Sequence, residues 1–225
     1  MEHTMKVIAR IHSDFPEKFG IPRQSGLVPA LRAKIVFEPE YRNPDALRGI
    51  EGFSHLWLIW QFSAAVRDTW SPTVRPPRLG GNEHVGVFAT RSPFRPNAIG
   101  LSSVRLHRGE YGTHEGAVLH ISGADLMDGT PIFDIKPYLA YTDSHPEASG
   151  SFALAGDAVR VECAEGVLDA LPQEKRETLL RVLAQDPRPG YQHEAGRIYG
   201  FPFGGFEVRF TVADGVLTVL SAEKV

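Results

Sequence analysis

GVFATRSPFRPNAIGLSSVRL, residues 86–106, is the stretch on which the reading of this chain turns. It opens apolar at Val87 and Phe88, passes through the basic segment Arg91-Ser92-Pro93-Phe94-Arg95-Pro96-Asn97, and returns to alternation at Ile99, Leu101, Ser103 and Arg105. The pattern predicts strand, loop, strand. Pro93 and Pro96 have no N–H to give a sheet ladder, so the centre is expelled from regular structure and held stiff. A stiff turn carrying Arg91, Arg95 and Asn97 offers fixed donors to a carboxylate or a phosphate. An ordinary hairpin with solvated arginines satisfies the same pattern, and chemistry alone leaves both readings open.

Working outward, further short strands flank this stretch. KVIARI (6–11) alternates, AKIVF (33–37) and AVLHI (117–121) are short strand candidates, and FSHLWLIWQF (53–62) is the most apolar segment. A run apolar on both faces predicts a central strand covered on both sides. His55 opens it, and a core or rim histidine bonded to backbone is a better reading than a catalytic base. Ser63, Ala64 and Ala65 follow at the strand exit, where small side chains leave room for a ligand. On the other side of the 86–106 stretch, a turn is expected near Gly109–Gly116. Asp128-Gly129 is a strong turn signal before a short strand from Pro131 to Ile135. Asp134 and Lys136 fall on one face of that strand, either as an ion pair or as a grip on a ligand bearing both an amine and a carboxylate.

Two other loops stand out. Pro22-Arg23-Gln24-Ser25-Gly26 places a guanidinium, an amide and a hydroxyl between a proline and a glycine, where Gly26 permits positive φ or close approach of a ligand. Arg67–Asn82, RDTWSPTVRPPRLGGN, has too many prolines and glycines for a long element and adds Arg75 and Arg78 to the cations at Arg91 and Arg95. The middle of the chain is therefore locally basic, although 24 Lys and Arg against 27 Asp and Glu leave the whole at −3. A local patch rather than a global field must attract any polyanion.

The chain of 225 residues suits one large domain or a main domain with an appendage. Twenty-two glycines and 17 prolines favour strands and turns over a helical bundle. The single Cys163 excludes an internal disulfide framework and a multi-cysteine zinc site. No signal-peptide core or membrane-length apolar run is present, so a cytoplasmic protein without a membrane partner is expected. After Ser144 the composition turns small and polar, as in a linker. The spacing of Leu171, Leu179, Leu180, Val182 and Leu183 then predicts a helix within 169–186, followed by strands at 197–201, 206–212 and 215–220 with a hairpin at Asp214-Gly215.

Neither a dinucleotide-binding glycine fingerprint nor a P-loop is present, and no metal motif or nucleophile elbow occurs. What remains is three polar loops on a strand-rich scaffold. They suit a charged small molecule or nucleotide and transfer chemistry that needs no metal. Taken together, GVFATRSPFRPNAIGLS, DGTPIFDIKPYLAYTDS, GFSHLWLIW, PTVRPPRLGGN, PRQSGL and LAQDPRPGY resemble, in collinear order over nearly the whole chain, the TsaA/TrmO family of tRNA N6-adenosine methyltransferases.

The resemblance implies a mainly β fold with an α+β appendage. Residues 1–145 would form a small β-barrel that binds S-adenosylmethionine without a Rossmann unit, and 146–225 a small C-terminal α+β domain. It implies a homodimer that methylates N6 of threonylcarbamoyladenosine beside the anticodon of threonine tRNA. Cofactor contacts would fall on Arg23, Gln24, Ser25, Ser63, Ala64, Arg95, Arg105, Phe133, Asp134, Ile135 and Lys136. Ser25 and Ala98 stand where relatives often carry proline, which loosens both loops. Methyl transfer is an in-line attack, so alignment and electrostatics dominate, with a base to take the proton of the target nitrogen. Asp134, His55 and Tyr138 are candidate bases in that order. Arg75, Arg78 and Arg91 are assigned to anticodon-loop phosphates, and Asn97 to the RNA or its target base. A non-catalytic nucleotide-binding adaptor and a methyltransferase with another acceptor are the rival readings.

Overall fold

Alternation sorts the strand at 55–61 into two faces: Leu56, Leu58 and Trp60 are buried, while His55, Trp57, Ile59 and Gln61 are only partly covered. The computed structural model, which describes residues 3–76, 79, 82–153, 158–188, 194 and 196–225, shows why. This strand is one stave of a closed barrel, and a small barrel packs its core on the inner face alone. The expectation of cover on both sides is corrected accordingly.

The elements in chain order are β1 (Ala9–His12), β2 (Arg32–Phe37), β3 (His55–Gln61), β4 (Thr73–Val74), β5 (Val85–Gly86), β6 (Ile99–Thr113), β7 (Gly116–Ser122), β8 (Pro131–Pro137), α1 (Ala140–Asp143), β9 (Arg160–Cys163), α2 (Gln173–Leu183), β10 (Ile198–Phe203), β11 (Phe206–Ala213) and β12 (Val216–Lys224). The barrel runs β1-β2-β7-β6-β3-β8, and β8 closes on β1 through Ala9 opposite Ile132. All its pairings are antiparallel. Ile11, Ile35, Leu56, Leu58, Val104, Leu119, Ile121 and Ile132 fill the interior.

The 86–106 stretch departs from the expected strand, loop, strand at its start. β5 ends at Gly86, and Val87–Ala89 form a short 3-10 turn. Val87 is buried and Phe88 is turned outward, because the Thr90 amide and hydroxyl both donate to the Val87 carbonyl and bring the chain back early. β6 is longer than predicted. It carries through the expected turn at Gly109 as far as Thr113, and two register shifts absorb the irregularity.

A second sheet, ordered β10-β11-β12-β9, carries α2 on its face. α2 is shorter than the spacing suggested. Pro172 stands just before it, and Leu168 and Leu171 enter the core from turns. The hairpin at Asp214-Gly215 is present, with both residues at positive φ, as a two-residue connection of this kind requires.

The second core is not built from the C-terminal segment alone. Phe15, Val28 and Leu31, from the long loop between β1 and β2, are buried in it, and Phe15 meets Phe203 edge-on at 5.3 Å. Gly20 explains how that loop lies so close. Its φ is +92°, and a Cβ there would fall 2.5 Å from the Phe201 ring. The loop at 13–31 is thus a wedge, with one side against the second sheet and the other facing the mouth of the barrel.

Candidate functional site

At that mouth lies a cavity of about 640 Å³, a size that suits a nucleoside-like ligand. Its wall comes from loop 22–25, the end of β3 with Ser63–Ala65, loop 91–95, the start of β6, and Asp125, Met127 and Thr130 ahead of β8. Each piece is placed by a barrel strand entering or leaving the same end.

The floor is a hydrogen-bonded series. Trp60 Nε1 donates to Ser102 Oγ at 3.0 Å, and Ser102 Oγ donates to Asp125 Oδ1 at 2.5 Å. Ser102 is 1% exposed, and its hydroxyl accepts one of these bonds and donates the other. The Trp60 indole can lie flat across the floor because residue 100 is glycine: a Cβ there would sit 2.2 Å from the ring. Burial pushes the Asp125 carboxyl above its ordinary range, although bonds from Ser102 and backbone and the Arg91 charge oppose the shift. A carboxylate of this kind, on a cavity wall, suits the amine or hydroxyl donors of a ligand.

The rim is tied together across long stretches of sequence. Arg91 donates to the Gln24 side-chain oxygen, linking loops 91–95 and 22–26. Arg95 donates to the Thr90 carbonyl at 3.2 Å. Gly26 takes positive φ, and its N–H donates to the Gly123 carbonyl at 2.8 Å. Arg23 ties the rim to the C-terminal segment. Its guanidinium donates to the carbonyls of Arg188 at 2.8 Å and Asp186 at 3.5 Å. Those carbonyls belong to a turn held by a two-point Arg188–Asp186 pair, both bonds 2.8 Å. Burial works against the Asp186 charge, but the pair holds its carboxyl below the usual range.

Of the residues singled out from sequence, Arg23, Gln24, Ser25, Ser63, Ala64, Arg91 and Arg95 line this cavity. Arg91, assigned to RNA phosphates, is therefore also part of the small-ligand wall. Asn97 and Phe133 line a smaller adjoining cavity of about 380 Å³ that shares Phe94 and Arg95 with the first.

The remaining candidates are elsewhere. Arg105 is exposed on β6, opposite His55. Asp134 and Lys136 pair with each other at 2.9 Å on the outer face of the barrel, and Ile135 packs toward the core. His55 bonds Ser54, and Tyr138 packs on His55 and Trp57. Trp57 is the link from that outer face to the cavity it lines. Arg75 is bonded to His84 at 2.9 Å, and Arg78 lies outside the described residues.

Asp125, Ser102 and Trp60 were not singled out as site residues. A single aspartate, serine and tryptophan carry no motif, and only the barrel brings them together.

Residues 10–144 match the family model described as the tRNA-methyltransferase O N-terminal domain, and residues 157–225 match that of the TrmO C-terminal domain. The chain is similar to the tRNA (adenine(37)-N6)-methyltransferase of Escherichia coli, with 44% identity covering 96% of each. It is also similar to the mouse protein of the same name, with 42% identity over 61% of this chain and 31% of that one. The crystal structure of TrmO from Pseudomonas aeruginosa superposes with a TM-score of 0.80 at 36% identity, covering 100% of this chain and 98% of that one.

Proposed function

This chain belongs to the tRNA-methyltransferase O family, and we propose that it methylates N6 of threonylcarbamoyladenosine at position 37, beside the anticodon of threonine tRNA, with S-adenosylmethionine as donor. What supports the reading is that loops 22–25, 63–65 and 91–95, far apart in sequence, surround one nucleoside-sized cavity in a chain that aligns end to end with a tRNA (adenine(37)-N6)-methyltransferase. A cytoplasmic location follows from a tRNA substrate. The division at residues 145/146 into a cofactor-binding unit and an appendage is part of the same reading.

The cavity residues fit the donor. Trp60, Phe62, Ile99 and Leu101 provide apolar surface for a purine and a thioether chain, Asp125 accepts from amine or hydroxyl groups, and Arg91 and Arg95 suit a carboxylate. When bound, S-adenosylmethionine supplies an electrophilic methyl on a sulfonium. This chain's part is to bind, orient and exclude water. The barrel floor fixes Asp125 through Ser102, and the rim is held by the Gln24–Arg91 link. Such preorganisation lowers the barrier of an in-line displacement, which needs alignment more than covalent help.

The target nitrogen must lose a proton. Asp134, His55 and Tyr138 lie on the outer face beside Trp57, outside the cavity wall of their own chain. With Arg105 and Lys136 they serve the site from a second copy, so a homodimer belongs to this reading.

The test is incubation with methyl-labelled S-adenosylmethionine and threonine tRNA, with or without the threonylcarbamoyl group. Label on N6 of the modified adenosine alone is expected. Label on the unmodified tRNA or at another base overturns the acceptor assignment, and no transfer in any tRNA overturns the enzyme reading.

A further inference from the structure

Between β3 and β6 the chain makes a long excursion, and it exposes two large aromatic rings. Trp70 is 50% exposed and Phe88 72%. Their rings lie nearly parallel, with centroids 6.1 Å apart and planes 29° from one another. Their position is built. The β4–β5 hairpin and the bond from the Val87 N–H to the Pro72 carbonyl (2.9 Å) bring the two segments together. Val87 is buried beneath as the anchor, so its neighbour Phe88 must face outward.

The excursion that carries the pair is rich in arginine. Residues 66–97 contain five arginines against Asp68 and Glu83. The Arg67 guanidinium lies 3.7 Å over the Phe94 ring, and Thr69, next to Trp70, lines the smaller cavity together with Phe94 and Arg95. An exposed aromatic pair on a segment with five arginines matches unpaired nucleobases on a phosphate chain, since each base offers a π-face and each phosphate a charge.

We propose that Trp70 and Phe88 form a stacking platform for unpaired bases of the RNA loop that carries the target adenosine. The proposal rests on the tRNA reading above and adds where the loop is gripped.

The test is binding of a fluorescent anticodon stem-loop RNA at several salt concentrations to the unsubstituted protein, to W70A/F88A and to the ring-conserving W70F/F88Y. W70A/F88A should bind about tenfold more weakly or worse, and W70F/F88Y close to normally. The salt slope should not change, because no phosphate-binding cation is lost. Cofactor affinity by calorimetry and the subunit number should also stay as they were. RNA should quench Trp70 emission, read as the difference between the unsubstituted protein and W70F, and that measurement stands even if the double variant fails to fold.

Unaltered RNA affinity in W70A/F88A, an equal loss with a fully paired duplex, or a change in subunit number would overturn the platform. If the unsubstituted protein bound no RNA, the tRNA reading itself would fall.

Discussion

The cavity floor and the aromatic strip of the 66–97 excursion face the same end of the barrel, yet they are built on opposite terms. On the floor each polar group is committed: Trp60 to Ser102, Ser102 to Asp125. The strip is held by two-residue strands and leaves its largest rings in solvent. The contrast teaches a division of labour. A small ligand is best met by a rigid wall whose hydrogen bonds are already made, whereas a large, charged partner is met by exposed surface that it covers itself.

The sharpest way to break this comparison is at Asp125. Asp125→Asn should weaken S-adenosylmethionine binding about 10- to 100-fold, the range for a charged hydrogen bond, while RNA binding changes little. If calorimetry shows full cofactor affinity, the floor is not the small-ligand wall. The same position sets a pH dependence. Burial raises the folded pKa of Asp125, and ligand donors need the ionised form, so affinity should rise as pH climbs through that raised value and fall below it. For stability the sign is reversed: a raised folded pKa favours the fold at low pH, and that contribution is lost as pH rises through it. Asp125→Asn should flatten both profiles.

Ser102→Ala removes the link between Trp60 and Asp125 and leaves a buried indole N–H without its acceptor. A loss of about 1–3 kcal/mol in unfolding free energy is expected by denaturant titration. An unchanged midpoint would mean that the floor is less committed than its bonds imply. The smallest effect is expected at Arg188→Ala, which frees the turn whose carbonyls hold Arg23. The KM for cofactor should rise a few-fold at unchanged kcat. A drop in kcat with KM constant would show that the turn acts on the acceptor side instead.

Parts of this molecule were plain from residue order. Short apolar runs mark β2, β3 and β7 as strands, and Asp214-Gly215 marks its hairpin, because strand preference and left-handed turns are local properties. Pro93 and Pro96 do hold the centre of the 86–106 stretch out of the sheet. Legibility failed where a partner was remote. Phe88 read as part of a strand, but the bond from Thr90 to the Val87 carbonyl and that from the Val87 N–H to the Pro72 carbonyl turn it outward. Arg23 lines the cavity, but residue order gave no sign that its guanidinium is also engaged by carbonyls more than 160 residues away.

Residue order by itself determined that this is a strand-rich chain with three polar loops, a basic middle and a distinct tail, since each of these depends on neighbours within a few positions. Only the tertiary structure decided that Asp125 forms the cavity wall, that the 13–31 loop is wedged against the C-terminal sheet, and that Asp134 pairs with Lys136 on the outer face. Those outcomes depend on the register in which the barrel closes, and register is a sum over contacts between distant strands that no local pattern contains.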